Sequence, residues 1–210
     1  MRGDEVRGAL EDAETFLRRH TDREWSALPV PGLDFTVASV IRHVTEVLLW
    51  YALDLADGPG GDTAFDNSVR ADATPAALLA SLGAAGRVCA AIIDASGPEA
   101  RGFHPYGTAD PSGFAAMACD EILVHTRDAA GGLDGGAGGG ARGEGFVIDP
   151  DLARAVTARL FPWHEPTSDP VEGLLWANGR IDIPGRPRQE KWRWHCAPLA
   201  EWDGTAPGSR

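Results

Sequence analysis

Apolar side chains recur at three- and four-residue spacing between residues 36 and 56, a pattern that predicts an amphipathic helix. The stripe consists of Val37, Val40, Ile41, Val44, Leu48, Tyr51 and Leu55. A second stripe lies between residues 111 and 130 and consists of Phe114, Met117, Ala118 and Ile122. Its face also carries Glu121 and His125, so two ionisable groups lie on the side that the pattern assigns to the core.

Proline marks the predicted start of four helices. Each proline follows a side chain that can cap free N–H groups, and proline itself has no N–H to leave unpaired. These starts are Thr74-Pro75, Asp110-Pro111, Asp149-Pro150 and Asp169-Pro170, and Glu172 adds a capping-box position to the last. The predicted ends are Gly97-Pro98, Gly131-Gly132, Phe161-Pro162 and Gly179. With two earlier helices, at about 4–20 and 36–56, the chain is predicted to be mainly α-helical, and its four long helices favour an antiparallel four-helix bundle.

A glycine-rich tract divides the chain into two parts. It has almost no apolar side chain to bury, so it is predicted to be a flexible linker over residues 133–145, between a bundle at 1–132 and a C-terminal extension at 146–210 packed on it. The tract lacks the Gly-Lys-Ser/Thr ending of a phosphate loop, and nucleotide binding is not expected. In the extension, alternating segments at 180–183 and 191–194 flank a Pro-Gly-Arg-Pro turn and are compatible with a short hairpin.

Composition narrows the classes of partner. The 210 residues carry 19 Lys+Arg against 31 Asp+Glu, a formal net charge of −12, which disfavours nucleic acid and anionic membrane surfaces. No stretch approaches the roughly 18 uncharged apolar residues of a membrane helix, and acidic residues stand where a signal peptide needs an apolar run. We therefore expect a cytoplasmic protein with small-molecule or protein partners, and a homodimer is left open.

The candidate chemistry is a cluster of His43, Glu121 and His125. Glu121 and His125 are four residues apart, so one helical turn can direct a carboxylate and an imidazole at one point. His43 lies at the edge of its own apolar stripe, where a neighbouring helix could meet it. Two nitrogens and one oxygen suit zinc or another borderline divalent ion, and three protein ligands leave one position open for a water or a thiolate. The ordinary alternative is a hydrogen-bonded Glu/His pair and a partly buried histidine without a metal.

The other histidines and the cysteines offer no such spacing. The histidines His20, His104, His164 and His195 lie in predicted caps or loops. The three cysteines are Cys89, Cys119 and Cys196, an odd number without a CxxC motif, so neither disulfides nor a thiolate zinc site is supported.

Two segments resemble the signature helices of mycothiol-dependent maleylpyruvate isomerase-like proteins, in the DinB/YfiT-like superfamily. The first is residues 35–44, FTVASVIRHV, and the second is residues 121–130, EILVHTRDAA. The resemblance covers about residues 5–135, and residues 174–180, LLWANGR, also look like a recurrent C-terminal element of such chains. It implies a four-helix bundle in which His43, Glu121 and His125 hold a divalent metal, usually zinc.

The resemblance also implies a chemistry. Members use a low-molecular-weight thiol such as mycothiol, and a metal that stabilises the thiolate supplies a nucleophile for isomerisation or S-transfer on a small electrophile. We therefore expect such an enzyme, with an outside thiol rather than a cysteine of the chain as nucleophile. The alternative is a non-catalytic metal-binding module with a stress or regulatory role.

Some positions depart from the family pattern or remain open. Phe35 stands where the family often has tryptophan, and Arg127 where an aromatic residue often follows the histidine. Asp128 could orient His125 or Arg127, although a surface position at the helix end is the simpler interpretation. The candidates for gripping an anionic substrate are Arg180, Arg186, Arg188 and Arg193, each of which is more simply an exposed basic residue.

Overall fold

A computed structural model describes residues 1–134 and 145–206, and six α-helices carry the fold within them. They are α1 (Gly3–Arg18), α2 (Val37–Asp57), α3 (Pro75–Ala95), α4 (Pro111–Leu133), α5 (Pro150–Leu160) and α6 (Pro170–Ala177). Two short 3₁₀ helices lie at Trp25–Ala27 and Leu199–Glu201. The described part of the chain contains no β-strand, and the predicted mainly helical fold is confirmed.

All four proline-marked helix starts are confirmed, because each predicted cap accepts a hydrogen bond from a free backbone N–H of its helix. The side chain of Thr74 accepts from Ala77, that of Asp110 from Gly113, that of Asp149 from Asp151, and that of Asp169 from Val171 and Glu172. Local sequence thus determines where these helices begin.

The first four helices form the bundle, with α1 and α2 each packed against both α3 and α4. Helices α1 and α3 run antiparallel, because the Gly3 N–H at the start of α1 donates to Asp94 at the end of α3, at 3.0 Å. The amino terminus of the chain, beside the first turn of α1, donates to Ser112 at the start of α4, at 2.9 Å, so these two helices run parallel.

The bundle is therefore mixed in direction rather than wholly antiparallel as predicted. Helix α2 runs antiparallel to α4, since His43 near its start meets His125 near the end of α4. The loop at 58–74 explains the mixed helix directions. An extended chain spans up to about 3.3 Å per residue and a helix rises only about 1.5 Å per residue, so this loop is long enough to return along the full length of α2. Such a loop leaves α3 free to follow the direction of α2.

Helix α4 is the centre of the core, and it continues through Leu133 rather than ending at Gly131-Gly132. Gly132 does not end the helix; its missing side chain instead lets α4 approach Pro29 and Val37 closely. A Cβ added there would lie 2.8 Å from the Pro29 carbonyl oxygen and 2.8 Å from a Val37 methyl carbon. The remaining tract, residues 135–144, lies outside the described residues, so the linker at 133–145 and the three-part division stay predictions.

The extension contains no hairpin among its described residues, and that prediction is wrong. Only Ile183 and Arg186 pair, through two backbone hydrogen bonds of 3.0 and 2.9 Å. Pro184 lies inside this turn, and the Arg188 N–H that would continue the ladder donates instead to the Asp182 side chain, at 2.7 Å. The second alternating segment instead packs its Trp192 against Phe161 and Trp194. Burial of the tryptophans replaces strand pairing.

Helix α3 is long and apolar enough, by length and composition, to cross a membrane, with a mean hydropathy of 1.9 in its best window. Half of that window is buried inside the protein. The two charged side chains of the helix also pair with α1: Arg87 lies 3.4 Å from Glu14, and Asp94 lies 2.7 Å from Arg7. In this structure α3 is a bundle helix with an alanine-rich surface.

Candidate metal centre

The three predicted ligands meet at one point between α2 and α4. The Glu121 Oε2 atom lies 3.4 Å from His43 Nε2 and 3.2 Å from His125 Nε2. All three ligand atoms lie within 4.8 Å of one another, and the two imidazole rings meet edge to face with centroids 5.0 Å apart. The antiparallel packing of α2 on α4 supplies the third residue that the i,i+4 pair lacks.

Two of the three ligand separations fit a tetrahedral zinc ion. Ligand atoms at about 2.0–2.1 Å from a tetrahedral metal lie about 3.3 Å from each other. The two measured Glu121 to histidine separations match that edge length. Glu121 Oε2 is also buried and has no hydrogen-bond partner, although two ring nitrogens lie beside it. A buried carboxylate oxygen without a partner is costly, and a cation would satisfy it.

The electrostatics of the cluster favour a cation as well. Burial acts to raise the pKa of Glu121, yet the neighbouring His125 and His43 rings bring it well below its usual range, so the carboxylate stays charged. Burial acts to lower the pKa of His125, but Asp128 and Glu121 raise it to about 9. The protein thus concentrates negative charge around His125, which a proton or a metal ion can offset.

Asp128 orients His125 and is not the surface residue of the simpler interpretation. Its Oδ2 atom lies 3.0 Å from His125 Nδ1, which leaves Nε2 directed at the cluster. Its side chain is 10% exposed, and Arg180 grips it with Nε and Nη2 at 3.0–3.1 Å. A carboxylate behind a ligating histidine fixes the ring tautomer and raises the basicity of the ligand.

Changing Asp128 to asparagine is expected to weaken zinc binding by about 10- to 100-fold without abolishing it, because the His125 ring loses its charged partner but keeps its place. Competition with a chromophoric chelator measures the affinity. Asp134→Asn, at the C-terminal end of the same helix, is the control and should leave the affinity unchanged. An Asp128→Asn protein with unaltered zinc affinity would contradict the orienting role.

Two further contacts brace α4 at the cluster. The Tyr51 hydroxyl on α2 lies 3.5 Å from Glu121 Oε1, at the outer limit of a hydrogen bond. On the other side, the buried Asn178 amide donates to Asp120 at 2.8 Å and to the Leu174 carbonyl at 3.0 Å. The segment 174–180 therefore meets α4 beside the cluster through Asn178 and again through Arg180.

The cluster opens into a cavity of about 570 Å³ between the bundle and the C-terminal segment. Its wall carries His43, Glu121 and His125 together with tyrosines, tryptophans and His104. A volume of that size accommodates a small organic ligand. Any metal held by the three residues would therefore have its open position facing a ligand space.

Sequence reasoning missed His104, which it set aside as a loop residue. The structure places this imidazole in the cavity wall, only 8% exposed, with its Nδ1 accepting from the Tyr106 N–H at 3.1 Å. Cys196 approaches the same nitrogen, with its sulfur at 3.3 Å. Residues 104 and 196 are far apart in sequence, and no local signal predicts this meeting.

Of the four candidate arginines, only Arg180 lines the cavity. Arg186 instead stacks its guanidinium over Trp176, at 5.2 Å from the ring centroid. The two departures from the family pattern also lie away from the cavity. Phe35 is 53% exposed, and Arg127 donates to the Phe146 carbonyl at 2.8 Å. Neither changes the wall around the cluster.

Fold and cluster together define a helical-bundle protein with a candidate three-ligand metal centre at the mouth of a ligand-sized cavity. The chain belongs to the family of the mycothiol maleylpyruvate isomerase N-terminal domain, whose model matches residues 6–130. That range contains all three candidate ligands and ends near the last turn of α4. No curated protein and no solved structure matches the chain significantly.

Proposed function

We propose that the protein is a divalent-metal-dependent enzyme that uses a mycothiol-like thiol for isomerisation or S-transfer on a small electrophile. The observation that carries the proposal is the convergence of His43, Glu121 and His125 on one point at the cavity wall. Three ligands of this kind leave one position for an exchangeable group. Membership in a mycothiol-associated family supports a thiol as that group.

Each ligand residue has a defined part in the proposed site. His43 and His125 would bind the ion through Nε2 and Glu121 through Oε2. When bound, a zinc ion there would supply a Lewis acid that makes an incoming thiol a thiolate near neutral pH. Asp128 holds the His125 ring in place, and the aromatic wall would shield the sulfur of a bound thiol from part of the bulk water.

The chain's own cysteines are poor nucleophiles, which supports a thiol from outside. Burial raises the pKa of Cys89 to about 12 and that of Cys196 also to about 12, and it raises the pKa of Cys119 well above its usual value. Cys196 does have a base beside it, but burial lowers the pKa of His104 to about 4, so the two stay a neutral thiol and a neutral imidazole. None of the three cysteines lines the cavity.

The proposal predicts that thiol binding releases a proton only when zinc is bound, because a thiolate rather than a thiol occupies the open position. Calorimetric titration of the zinc-loaded and the chelator-treated protein with mycothiol, in two buffers of different ionisation enthalpy, counts the protons. A variant with Cys89, Cys119 and Cys196 all changed to alanine or serine is expected to keep its turnover.

Two results would contradict the proposal in different ways. If the cysteine-free protein folds and binds zinc but loses turnover, the nucleophile is a cysteine of the chain. If zinc binds and no thiol does, the protein is the non-catalytic metal-binding module instead. A cytoplasmic location and the absence of nucleic-acid and membrane partners remain predictions.

A further inference from the structure

Aromatic rings form the cavity wall beyond the metal cluster. Trp194 is at the centre of this wall, with its ring centroid 5.8 Å from His104, 6.1 Å from Tyr106 and 5.8 Å from Trp192. Trp50 and Phe65 complete it at the rim, where they are 48% and 69% exposed. Large exposed rings at the mouth of a cavity are typical of a surface that binds an apolar ligand.

The carboxylates in this wall carry no compensating cation. Asp54 is 8% exposed and Asp62 lies near it, and both line the cavity. Burial raises the pKa of Asp54, a hydrogen bond from the Thr63 backbone N–H offsets part of this rise, and the Asp62 and Asp57 charges raise the pKa further. Within residues 1–134 and 145–206, neither Asp54 nor Asp62 forms an ion pair.

Among the described residues, Arg180 is the only lysine or arginine in the cavity wall, and it is already neutralised. Arg180 binds both oxygens of Asp128 and donates through Nη1 to the Asn178 carbonyl at 2.8 Å. His104 is uncharged near neutral pH for the reason given above. A divalent ion together with the Glu121 carboxylate and a thiolate would have no net charge. Among the described residues, the wall therefore offers an anionic substrate Asp54 and Asp62, the Asp120 carboxylate that accepts from Asn178, and no free cation.

From this wall we infer that the electrophile taken by the cavity is an uncharged, planar, largely apolar compound, such as an unsaturated or aromatic ester or amide, and not a dicarboxylate. That the ligand is an electrophile rests on the proposed function, but the binding preference follows from the cavity wall alone. The inferred ligand thus differs from maleylpyruvate, the acid in the name of the family.

The physical basis of the preference is desolvation. A carboxylate moved into the cavity would lose water and gain no cationic partner, and it would face Asp54 and Asp62 at short range. An uncharged planar compound has no such penalty and gains ring stacking and apolar burial. A difference of at least tenfold in binding constant is therefore expected between matched neutral and anionic compounds.

Three probes that share one skeleton separate charge from shape: methyl cinnamate, its para-sulfonate derivative and its para-trimethylammonium derivative. Sulfonate is a permanent anion, and without zinc its binding reports on the wall alone, because a zinc ion that carries only the Glu121 carboxylate would attract it through its net positive charge. Calorimetry on the chelator-treated full-length protein, without any thiol, should rank the sulfonate at least tenfold weaker than the neutral ester and weaker than the similarly sized cation.

Variants assign the preference to the two carboxylates. Asp54→Asn combined with Asp62→Asn should strengthen sulfonate binding at least threefold and leave the neutral ester unchanged. Asp62→Asn alone, at an exposed loop position, should show part of the effect if the double variant does not fold. Asp66→Asn is the matched control, because this aspartate lies in the same loop but does not line the cavity.

Equal binding of the sulfonate and the neutral ester would overturn the inference, and so would an unchanged sulfonate affinity after both aspartates are replaced. Because neither zinc nor thiol is present, these outcomes are independent of the proposed function. A protein that prefers the neutral ester but never binds mycothiol would keep the ligand class and lose the thiol chemistry. A protein that binds mycothiol with proton release but prefers the sulfonate would do the reverse.

Discussion

Zinc is expected to be lost from the purified protein when His125 is replaced by alanine. His125 supplies one of three ligand atoms, and the change also leaves the buried Asp128 without its imidazole partner. Loss of an outer partner alone costs about 10- to 100-fold in metal affinity, so loss of the ligand itself should exceed a hundredfold. Elemental analysis of the metal bound per chain, followed by zinc titration, measures the effect.

The control for this experiment is His20→Ala, which removes an imidazole outside the cavity and should leave one zinc per chain. Glu121→Gln provides a second test with almost no change in side-chain volume. It removes the only negative ligand, so it should also lose stoichiometric zinc while the helical circular dichroism stays unchanged. One zinc per chain in folded His125→Ala protein would show that the cluster is an ordinary hydrogen-bonded group.

The second large effect is expected from Arg159→Leu, which should lower the free energy of unfolding by about 3–5 kcal/mol. Arg159 is 6% exposed on α5 and binds Asp110, the cap of α4. It also donates to the backbone carbonyls of His195 and Cys196, each at 3.1 Å. Its removal would leave these acceptors without their cation and detach the segment that carries Trp194 over the cavity.

Urea unfolding followed by circular dichroism measures the loss, and tryptophan fluorescence reports whether the segment around Trp194 is released. The matched control is Arg154→Leu, five residues earlier on the same helix. Arg154 pairs with Asp151 at the surface, with 59% of its side chain exposed, so its loss should cost under about 1 kcal/mol. Equal destabilisation by the two variants would show that Arg159 does not hold the segment.

The helix starts show which part of the fold could be predicted without coordinates. At Thr74, Asp110, Asp149 and Asp169, cap and proline lie within one turn of each other, so the signal and the structure that it specifies are local. The wrong hairpin shows the limit of such patterns. Alternation near residues 180–194 is local too, but the contacts that decided its structure come from Phe161 and the rest of the core.

The candidate site also has a part that local sequence predicts and a part that it does not. The four-residue spacing of Glu121 and His125 predicts that they share a helical face, and the structure places them together. His43 entered the set through its place beside an apolar stripe and through family resemblance, since no spacing rule links residues 43 and 121. Asp128 was underestimated because, although its contact with His125 is local, the Arg180 side chain that binds it comes from 52 residues away along the chain.

By itself, the sequence determined the helices, their caps and the pair of ligands on α4, because backbone hydrogen bonding and helical periodicity act over a few residues. Only the tertiary structure decided the direction of the bundle helices, the third ligand and the cavity wall. His104 and Cys196 meet across 92 positions of sequence, and Asp120 meets Asn178 across 58. Such contacts depend on how whole helices pack. The spacing of residues along the chain shows which helix face is buried, but it does not show which distant side chain that face will meet.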